Sequence, residues 1–157
     1  MDLNDFYRRY GMPAIEVQFR WNALATSTQI EVLHLNTIGE LAALHTAWYA
    51  PQENEGTDFQ DINKQNLLVG TVATDLNLVP NHRDRIGQWV QRLKSDKIKL
   101  VFPVYGLPKS EYFLLDGNHR AVAAVIGETI PVTLHVLRGE ISNSILPDLW
   151  RWKDEEA

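Results

Sequence analysis

The sequence predicts one α+β domain in which helices pack on a mixed sheet. From residue 66 onward, the patterns indicate a strand, a helix, two strands, a helix and a final strand, an order typical of α+β and mixed α/β proteins. The chain has 157 residues, and 45% of them are hydrophobic, which suits a single domain with one buried core. No repeat or linker divides it. We therefore expect a single domain with an N-terminal extension.

Within that extension, the patterns indicate two strands, a helix and a loop. Residues 14–21 alternate between apolar and polar side chains, as in a half-buried strand, and residues 29–35 alternate less cleanly. Thr37 and Glu40 have the spacing of a capping box. Apolar residues at helical spacing follow: Ile38, Leu41, Leu44 and Trp48. This pattern predicts a helix that ends before the polar residues 51–64, which predict a surface loop.

The rest of the chain predicts four more strands and three helices. The strands are expected at 66–74, 100–105, 112–115 and 131–137, and the helices at 83–95, 118–126 and 140–153. Pro103 lies inside one of these strands and favours an edge strand or a bend there. Gly127 is a typical residue to follow the end of a helix.

Composition and charge exclude several functional classes. The chain has no cysteine, which excludes disulfides, thiol catalysis and thiolate metal sites. Its first residues are acidic and lack the apolar run of a signal peptide, so we expect a soluble, cytoplasmic protein that does not enter membranes. The net charge of −5 argues against broad DNA affinity, yet residues 81–120 hold eight Lys and Arg against four Asp and Glu. This basic segment is either a solvated helix face or part of a local anion site.

The segment 116–120, Asp-Gly-Asn-His-Arg, joins a predicted strand to a predicted helix. Gly117 permits a sharp turn, and the helix after it has free backbone N–H groups that bind anions readily. His119 and Arg120 place basic groups at the positive end of the helix dipole, a conflict that a bound anion would remove. In the alternative interpretation there is no ligand, Asp116 caps the helix and Arg120 pairs with a carboxylate. Local physics leaves both interpretations open.

Residues 111–120, Glu-Tyr-Phe-Leu-Leu-Asp-Gly-Asn-His-Arg, resemble the signature of the ParB/sulfiredoxin superfamily, where a strand leads through Gly-X-His-Arg or Gly-X-Arg-Arg into a helix. Residues 128–132, Glu-Thr-Ile-Pro-Val, match the Ile-Pro that opens the family's next strand, and residues 102–104, Phe-Pro-Val, match its Pro-Val strand. The resemblance covers residues 66–138. It implies a ParB/sulfiredoxin-like mixed sheet there, with an extension at 1–65 packed on the core and a tail at 139–157.

The resemblance also implies a site for ATP or another nucleotide, with Mg²⁺. The implied phosphate-binding residues are Gly117, Asn118, His119 and Arg120, joined by the polar face of helix 83–95, Arg85, Gln88 and Arg92. Asp116 is similar to the acidic residue of the Asp-Gly-His-His-Arg form in free-serine kinases, which implies chemistry at a metal or at the phosphate end.

Two departures narrow what the resemblance implies. Sulfiredoxins need a cysteine where this chain has Asn118, which excludes peroxiredoxin repair. Chromosome-partitioning ParB proteins carry a helix-turn-helix domain and a dimerisation tail, and the residues after the last predicted strand are too few for either. Another branch of the family holds plasmid-borne suppressors of DNA transfer with ATPase and nuclease activities, and the size of this chain suits that branch.

The sequence supports three functional hypotheses. The first is NTP hydrolysis or phosphoryl transfer, with Asp116, His119 and Arg120 as catalytic residues. The second is a metal-dependent DNase of the ParB-like nuclease type, which the basic segment favours and the acidic remainder opposes. The third is a non-catalytic inhibitor or immunity protein that binds a protein partner through residues 1–65 and the tryptophan-bearing tail.

Other candidate residues have simpler interpretations. His45 and His135 lie among apolar residues and are expected in a core or an interface. Residues 81–83, Asn-His-Arg, either form a helix N-cap or help to hold an anion, and the cap is favoured slightly. Asp75 is a weak candidate for a general base or metal ligand. No protein metal site is predicted.

Overall fold

The computed structural model describes residues 1–11, 15, 17–25 and 28–155. The strands are β1 (Gln29–Leu35), β2 (His45–Ala50), β3 (Gln65–Leu68), β4 (Val101–Leu107), β5 (Glu111–Leu114) and β6 (Val132–Arg138). The helices are α1 (Leu3–Tyr10), α2 (Ile38–Ala42), α3 (Val69–Thr74), α4 (Arg83–Ser95) and α5 (Asn118–Ile126). The predicted α+β class with a mixed sheet is confirmed.

The six strands form one mixed sheet in the order β1-β6-β4-β5-β2-β3. β4 pairs in parallel with β6 and β2 with β5, while the other neighbours are antiparallel. β1 and β2 come from the first 65 residues and pair with strands from the later part of the chain. Both parts of the chain therefore build the same sheet.

Both faces of the central part of the sheet are buried. On one face, α2 to α5 pack against alternate strand residues such as Phe102, Val104 and Leu114. On the other face, α1 and the C-terminal segment cover the intervening residues, including Tyr105 and Phe113. Because β4 and β5 are covered on both sides, they are apolar at almost every position, as in central strands of α/β sheets.

The sequence predicts one continuous helix from Ile38 to beyond Trp48, and this prediction is wrong after Ala42. The capping interaction is present, since Thr37 Oγ1 accepts a hydrogen bond from the backbone N–H of Glu40 (3.1 Å), but α2 ends at Ala42. Residues 45–50 instead form β2, inside the sheet between β5 and β3. Their aromatic and β-branched side chains favour a strand, and the pairing with distant strands overrides the helical spacing.

The strand predicted at 66–74 is also only partly correct. β3 ends at Leu68, and the next residues form α3, in which Val69 and Val72 are both buried at helical spacing. Gly70 permits the close contact between α3 and α2, because a Cβ at this position would lie 2.8 Å from Cβ of Ala42. Strand propensity in this segment is therefore overridden by packing between helices.

Pro103 lies in an interior strand, so the edge-strand expectation is wrong. β4 pairs with β6 on one side and with β5 on the other. The carbonyl oxygen of Pro103 accepts a hydrogen bond from the N–H of Leu115 (3.0 Å). The residue thus contributes to the sheet through the only backbone hydrogen-bonding group that proline has.

Two terminal expectations need correction. Residues 17–20 have no regular structure and Trp21–Ala23 form a 3₁₀ turn, so the strand predicted at 14–21 is wrong where it is described; residues 14 and 16 lie outside the described residues. Its apolar residues pack on the core beside α1 without a neighbouring strand. The helix predicted at 140–153 is a shorter 3₁₀ turn, Pro147–Trp152.

Among the described residues, no helix is long and apolar enough to cross a bilayer.

Candidate functional site

The predicted turn between β5 and α5 is present, and Gly117 is its pivot. Gly117 has φ +86° and ψ +22°, the left-handed conformation, and it is the N-cap residue of α5. A Cβ here would lie 2.6 Å from Cδ1 of Phe102, so the turn requires glycine for both its conformation and its space. The N-cap residue of α5 is Gly117 rather than Asp116, and Gly117 has no side chain that could cap the helix.

This turn forms one wall of a cavity of about 540 Å³, a volume typical of small-molecule sites. The other walls come from β2, the β2–β3 loop, the first turns of α4 and the segments around residues 17–18 and 148. Five of the predicted site residues line the cavity together: Asp116, Gly117, Asn118, His119 and Arg120. Arg85 of α4 lines it as well and is exposed.

Gln88 and Arg92, the other predicted residues of α4, do not line the cavity. Both are exposed, and the guanidinium carbon of Arg92 lies 4.6 Å from the centre of the Trp89 ring. Arg92 is seven residues after Arg85, which places it about 10 Å farther along the helix axis. Only the first turns of α4 therefore reach the α5 N-terminus.

The side chain of Asn118 fixes the turn to the sheet. Its Oδ1 accepts a hydrogen bond from the backbone N–H of Ala47 in β2 (2.9 Å). The first intrahelical hydrogen bond of α5 joins the N–H of Ala121 to the carbonyl of Gly117 (2.9 Å). The N–H groups of Asn118, His119 and Arg120 precede it and have no partner within the helix.

Arg120 is held between two aromatic rings and a carboxylate. Its guanidinium carbon lies 5.5 Å from the ring centre of Phe102 and 5.7 Å from that of Trp89. Its Nη2 lies 3.4 Å from Oδ2 of Asp116, a long contact between two side chains that are each about a quarter exposed. Arg120 thus pairs with a carboxylate, as one interpretation expected, while it also lines the cavity.

His119 contacts two residues that the sequence patterns do not connect with it. Its Nε2 lies 2.8 Å from Nδ1 of His82, and Nε2 of His82 contacts the carboxylate of Glu55. The ring of Trp48 stacks on His82 at 4.4 Å and meets His119 edge-on at 5.1 Å. Burial, together with the electrostatic influence of His82 and Arg85, lowers the pKa of His119 to about 4.

His82 occupies the N-cap position of α4, but its side chain makes no capping hydrogen bond. Glu55 belongs to a segment predicted only as a surface loop. Trp48, which stacks on His82, belongs to a segment predicted as a helix. No sequence signal identifies Glu55, because its partner is 27 residues away. The position of His82 agrees with the helix N-cap that the sequence slightly favours for residues 81–83, and the anion-holding alternative stays a prediction.

The β2–β3 loop is fixed by the C-terminal turn. Arg151 donates hydrogen bonds to the carbonyls of Lys64 (2.8 Å), Asp61 (2.8 Å) and Phe59 (3.1 Å). Within the loop, Lys64 Nζ lies 2.6 Å from Oδ1 of Asp58, and both side chains are buried. The wall of the cavity that carries Glu55 is therefore attached to the body of the protein.

The far side of the cavity holds a second polar pair. The hydroxyl of Tyr49 donates a hydrogen bond to Oδ2 of Asp148 (2.5 Å), and both residues line the cavity. Burial raises the pKa of Asp148, and burial together with the Asp148 carboxylate raises that of Tyr49.

Other candidate residues lie elsewhere. His45 is buried and its Nε2 lies 2.6 Å from Oε1 of Glu111, and His135 is buried against the hydroxyl of Tyr10 (2.7 Å), as expected for core histidines. The Asp75 side chain accepts a hydrogen bond from the N–H of Asn77 (3.1 Å), and Asp75 does not line the cavity.

Among the carboxylates that line the cavity, Asp116 lies beside the α5 N-terminus, where it could hold Mg²⁺ next to a bound phosphate. Mg²⁺ prefers oxygen ligands and commonly uses only one or two protein carboxylates together with phosphate oxygens and water. Asp116 is a partly exposed carboxylate beside the α5 N-terminus. The described residues contain no group of three or more acidic or histidine side chains arranged for a metal. The remaining ligands would have to come from a bound phosphate and from water.

Comparison with protein-family models, with curated proteins and with solved structures gives no match for this chain. The resemblance to the ParB/sulfiredoxin superfamily therefore stays a prediction. The functional proposal for this protein rests on the cavity and its residues.

Proposed function

We propose that the cavity binds the phosphates of a nucleotide such as ATP and that the protein hydrolyses or transfers the terminal phosphoryl group. The observation that carries this proposal is the convergence of the α5 N-terminus, Arg85 and Arg120 on one cavity. A helix N-terminus supplies N–H donors and a positive dipole end, and arginine adds charge and paired hydrogen bonds. Together they match the charge and the acceptors of a phosphate group.

Each residue of the turn has a distinct part in this proposal. The backbone of Asn118 and His119 would contact phosphate oxygens, while Gly117 keeps the approach open. Arg120, backed by Trp89 and Phe102, would stabilise negative charge that develops in phosphoryl transfer. Asp116 would hold Mg²⁺, which neutralises phosphate charge when bound.

A nuclease is the second candidate, because exposed basic residues continue from the cavity along α4. Arg85 and Arg92 are both exposed on one face of this helix. Such a basic row suits a phosphodiester backbone. Cleavage of plasmid DNA with Mg²⁺ that disappears when Asp116 or His119 is replaced would favour this activity over nucleotide hydrolysis.

The test is a thermal-shift screen with ATP, ADP, CTP and GTP, each with and without Mg²⁺. A ligand that binds only the folded state raises the unfolding temperature. We expect at least one nucleotide to do so, and Arg120→Ala to abolish the shift while the variant stays folded. Arg83→Ala is the matched control, since Arg83 contacts Asn77 and does not line the cavity. Equal shifts in Arg120→Ala and the wild type would contradict the proposal.

A further inference from the structure

Three titratable side chains from three segments form a hydrogen-bonded chain that ends at the cavity wall. Glu55 contacts Nε2 of His82, and Nδ1 of His82 lies 2.8 Å from Nε2 of His119. We propose that this chain makes His119 the general base for hydrolysis of the bound nucleotide, with His82 and Glu55 as positioning residues that take up the proton. The inference rests on the proposed function, because it names the proton acceptor of that same site.

The hydrogen-bond pattern determines where the protons lie. A carboxylate only accepts hydrogen bonds, so Nε2 of His82 carries a proton and donates a hydrogen bond to Glu55. In a neutral His82, Nδ1 is then the acceptor, and Nε2 of His119 must be the donor. Nδ1 of a neutral His119 is consequently unprotonated. It has no hydrogen bond to any residue in the described part of the chain, so its lone pair is available to a substrate.

Aromatic contacts hold the two rings in this arrangement. Trp48 lies parallel to the His82 ring, with 20° between the planes, and nearly perpendicular to His119, with 67° between the planes. His82 is only 16% exposed at its side chain, whereas Glu55 is 46% exposed. The proton path therefore leads from the cavity through a mostly buried imidazole to a carboxylate in contact with solvent.

A carboxylate contacts His82 directly, so a positive charge that reaches this ring has a partner of opposite sign. The titratable and charged groups that line the cavity with the pair are Arg85 of α4, Asp116 and Arg120 of the α5 turn, Glu55 and Asp58 of the β2–β3 loop, Tyr49 of β2 and Asp148 of the C-terminal turn. Burial, His82 and Arg85 lower the pKa of His119. Glu55, by contrast, contacts His82 directly, so an imidazolium there has a carboxylate partner.

In the proposed step, the oxygen of a water molecule bonds to the terminal phosphorus, and the bond from that phosphorus to the bridging oxygen breaks. The electron pair of that bond stays with the departing nucleoside diphosphate. The water proton goes to Nδ1 of His119 while the proton on Nε2 of His119 passes to Nδ1 of His82. The positive charge then lies on His82 beside Glu55, and the proton later leaves to the released phosphate or to solvent.

The kinetic test measures ATP hydrolysis with Mg²⁺ by the full chain as a function of pH. Glu55→Gln and His82→Gln remove the two positioning groups. Glu53→Gln makes the same charge change in the same loop without lining the cavity, and His34→Gln removes an exposed histidine of β1. We expect both positioning variants to lower kcat by about tenfold to 10²-fold, with KM changed by less than about threefold.

The pH profile separates a proton relay from a structural role. Without the carboxylate, protonation of the histidine pair is less favourable, so the acid limb of kcat should move to lower pH in Glu55→Gln. The two control variants should reproduce the wild-type profile. Profiles and kcat values of Glu55→Gln and His82→Gln that equal those of the wild type would overturn the inference and leave nucleotide binding intact.

A wild-type protein that binds ATP without hydrolysing it would also overturn the relay, whereas absence of nucleotide binding would overturn the proposed function itself. A readout on the unmodified protein covers the case in which a variant fails to fold. Nitrogen NMR distinguishes the two imidazole tautomers. At neutral pH we expect His119 to carry its proton on Nε2, and a proton on Nδ1 instead would contradict the relay.

Discussion

Gly117 lies against the ring of Phe102, so closely that a Cβ on residue 117 would come within 2.6 Å of Cδ1 and 2.9 Å of Cε1. The same ring lies 5.5 Å from the guanidinium carbon of Arg120. A β4 side chain thus sets both the path of the turn and the position of its arginine. The proposed phosphate-binding turn is built on the core of the protein.

Gly117→Ala should therefore destabilise the protein strongly. A left-handed conformation costs a residue with a side chain about 1–2 kcal/mol, and forcing a methyl group into a packed core costs about 1–3 kcal/mol more. Urea unfolding would measure the loss. Gly87→Ala is the control, because Gly87 lies in α4 with open space around it, and alanine there should stabilise the helix by about 0.5–1 kcal/mol. A Gly117→Ala protein as stable as the wild type would contradict this packing.

The contribution of His119 to the stability of the protein should fall as the pH is lowered from about 6.5 to about 4. The pKa of His119 is lowered to about 4 in the folded protein, against about 6.5 in an unfolded chain. In that range the unfolded state binds more protons, so acidification favours unfolding. His135 acts in the same direction, because burial lowers its pKa as well.

His119→Gln should make this loss of stability with decreasing pH less steep, and His34→Gln should leave it unchanged. Urea unfolding at a series of pH values provides the comparison. The slope is the diagnostic quantity, since a general packing defect would lower stability equally at all pH values. An unchanged slope in His119→Gln would show that the ring is not held in its neutral form.

The two arginines of α4 should differ in their contribution to nucleotide binding. Arg85 lines the cavity and Arg92 does not, although the sequence pattern places both on one polar face. Arg85→Ala should weaken ATP binding by about tenfold or more, the effect of losing a hydrogen bond to a charged group. Arg92→Ala should change it by less than about threefold, because an exposed charge at a distance is screened. Calorimetric titration measures both, and equal effects would mean that the nucleotide lies along α4.

Arg151 should control the order of the β2–β3 loop. It donates hydrogen bonds to three carbonyls of this loop, and Arg151→Ala removes all three. Amide hydrogen exchange across residues 53–64 should become faster by about tenfold or more. Lys153→Ala, a change of an exposed residue two positions away, is the control. Unchanged exchange in Arg151→Ala would show that the loop is held by its own contacts.

Local signals predict the elements around the turn, and distant pairing determines the rest. α4 spans the predicted residues 83–95, and α5 begins and ends as predicted, because apolar spacing, a glycine turn and a terminal glycine act over a few residues. The sequence does not predict β2, because a capping signal followed by helical spacing favours a helix across it. Its strand conformation depends on pairing with β5 and β3. Short-range patterns carry no information about that pairing.

In the candidate site, too, local sequence signals predict some features and contacts between distant residues determine the others. The turn from Asp116 to Arg120 is visible in the sequence, since all of its residues are adjacent. The contacts of His119 with His82 and of His82 with Glu55 join residues 37 and 27 positions apart, and the second depends on the path of the β2–β3 loop. The separation of Arg85 from Arg92 likewise depends on how α4 crosses the start of α5.

The most direct test of the phosphate site is a two-dimensional NMR titration of the full chain with ATP and Mg²⁺. We expect saturable changes in chemical shift that are largest at the backbone N–H groups of Asn118, His119 and Arg120. They should be lost in Arg120→Ala and kept in Arg83→Ala. Saturable changes centred on another part of the protein, or no saturable change with ATP, ADP, CTP or GTP, would contradict a nucleotide site at this turn.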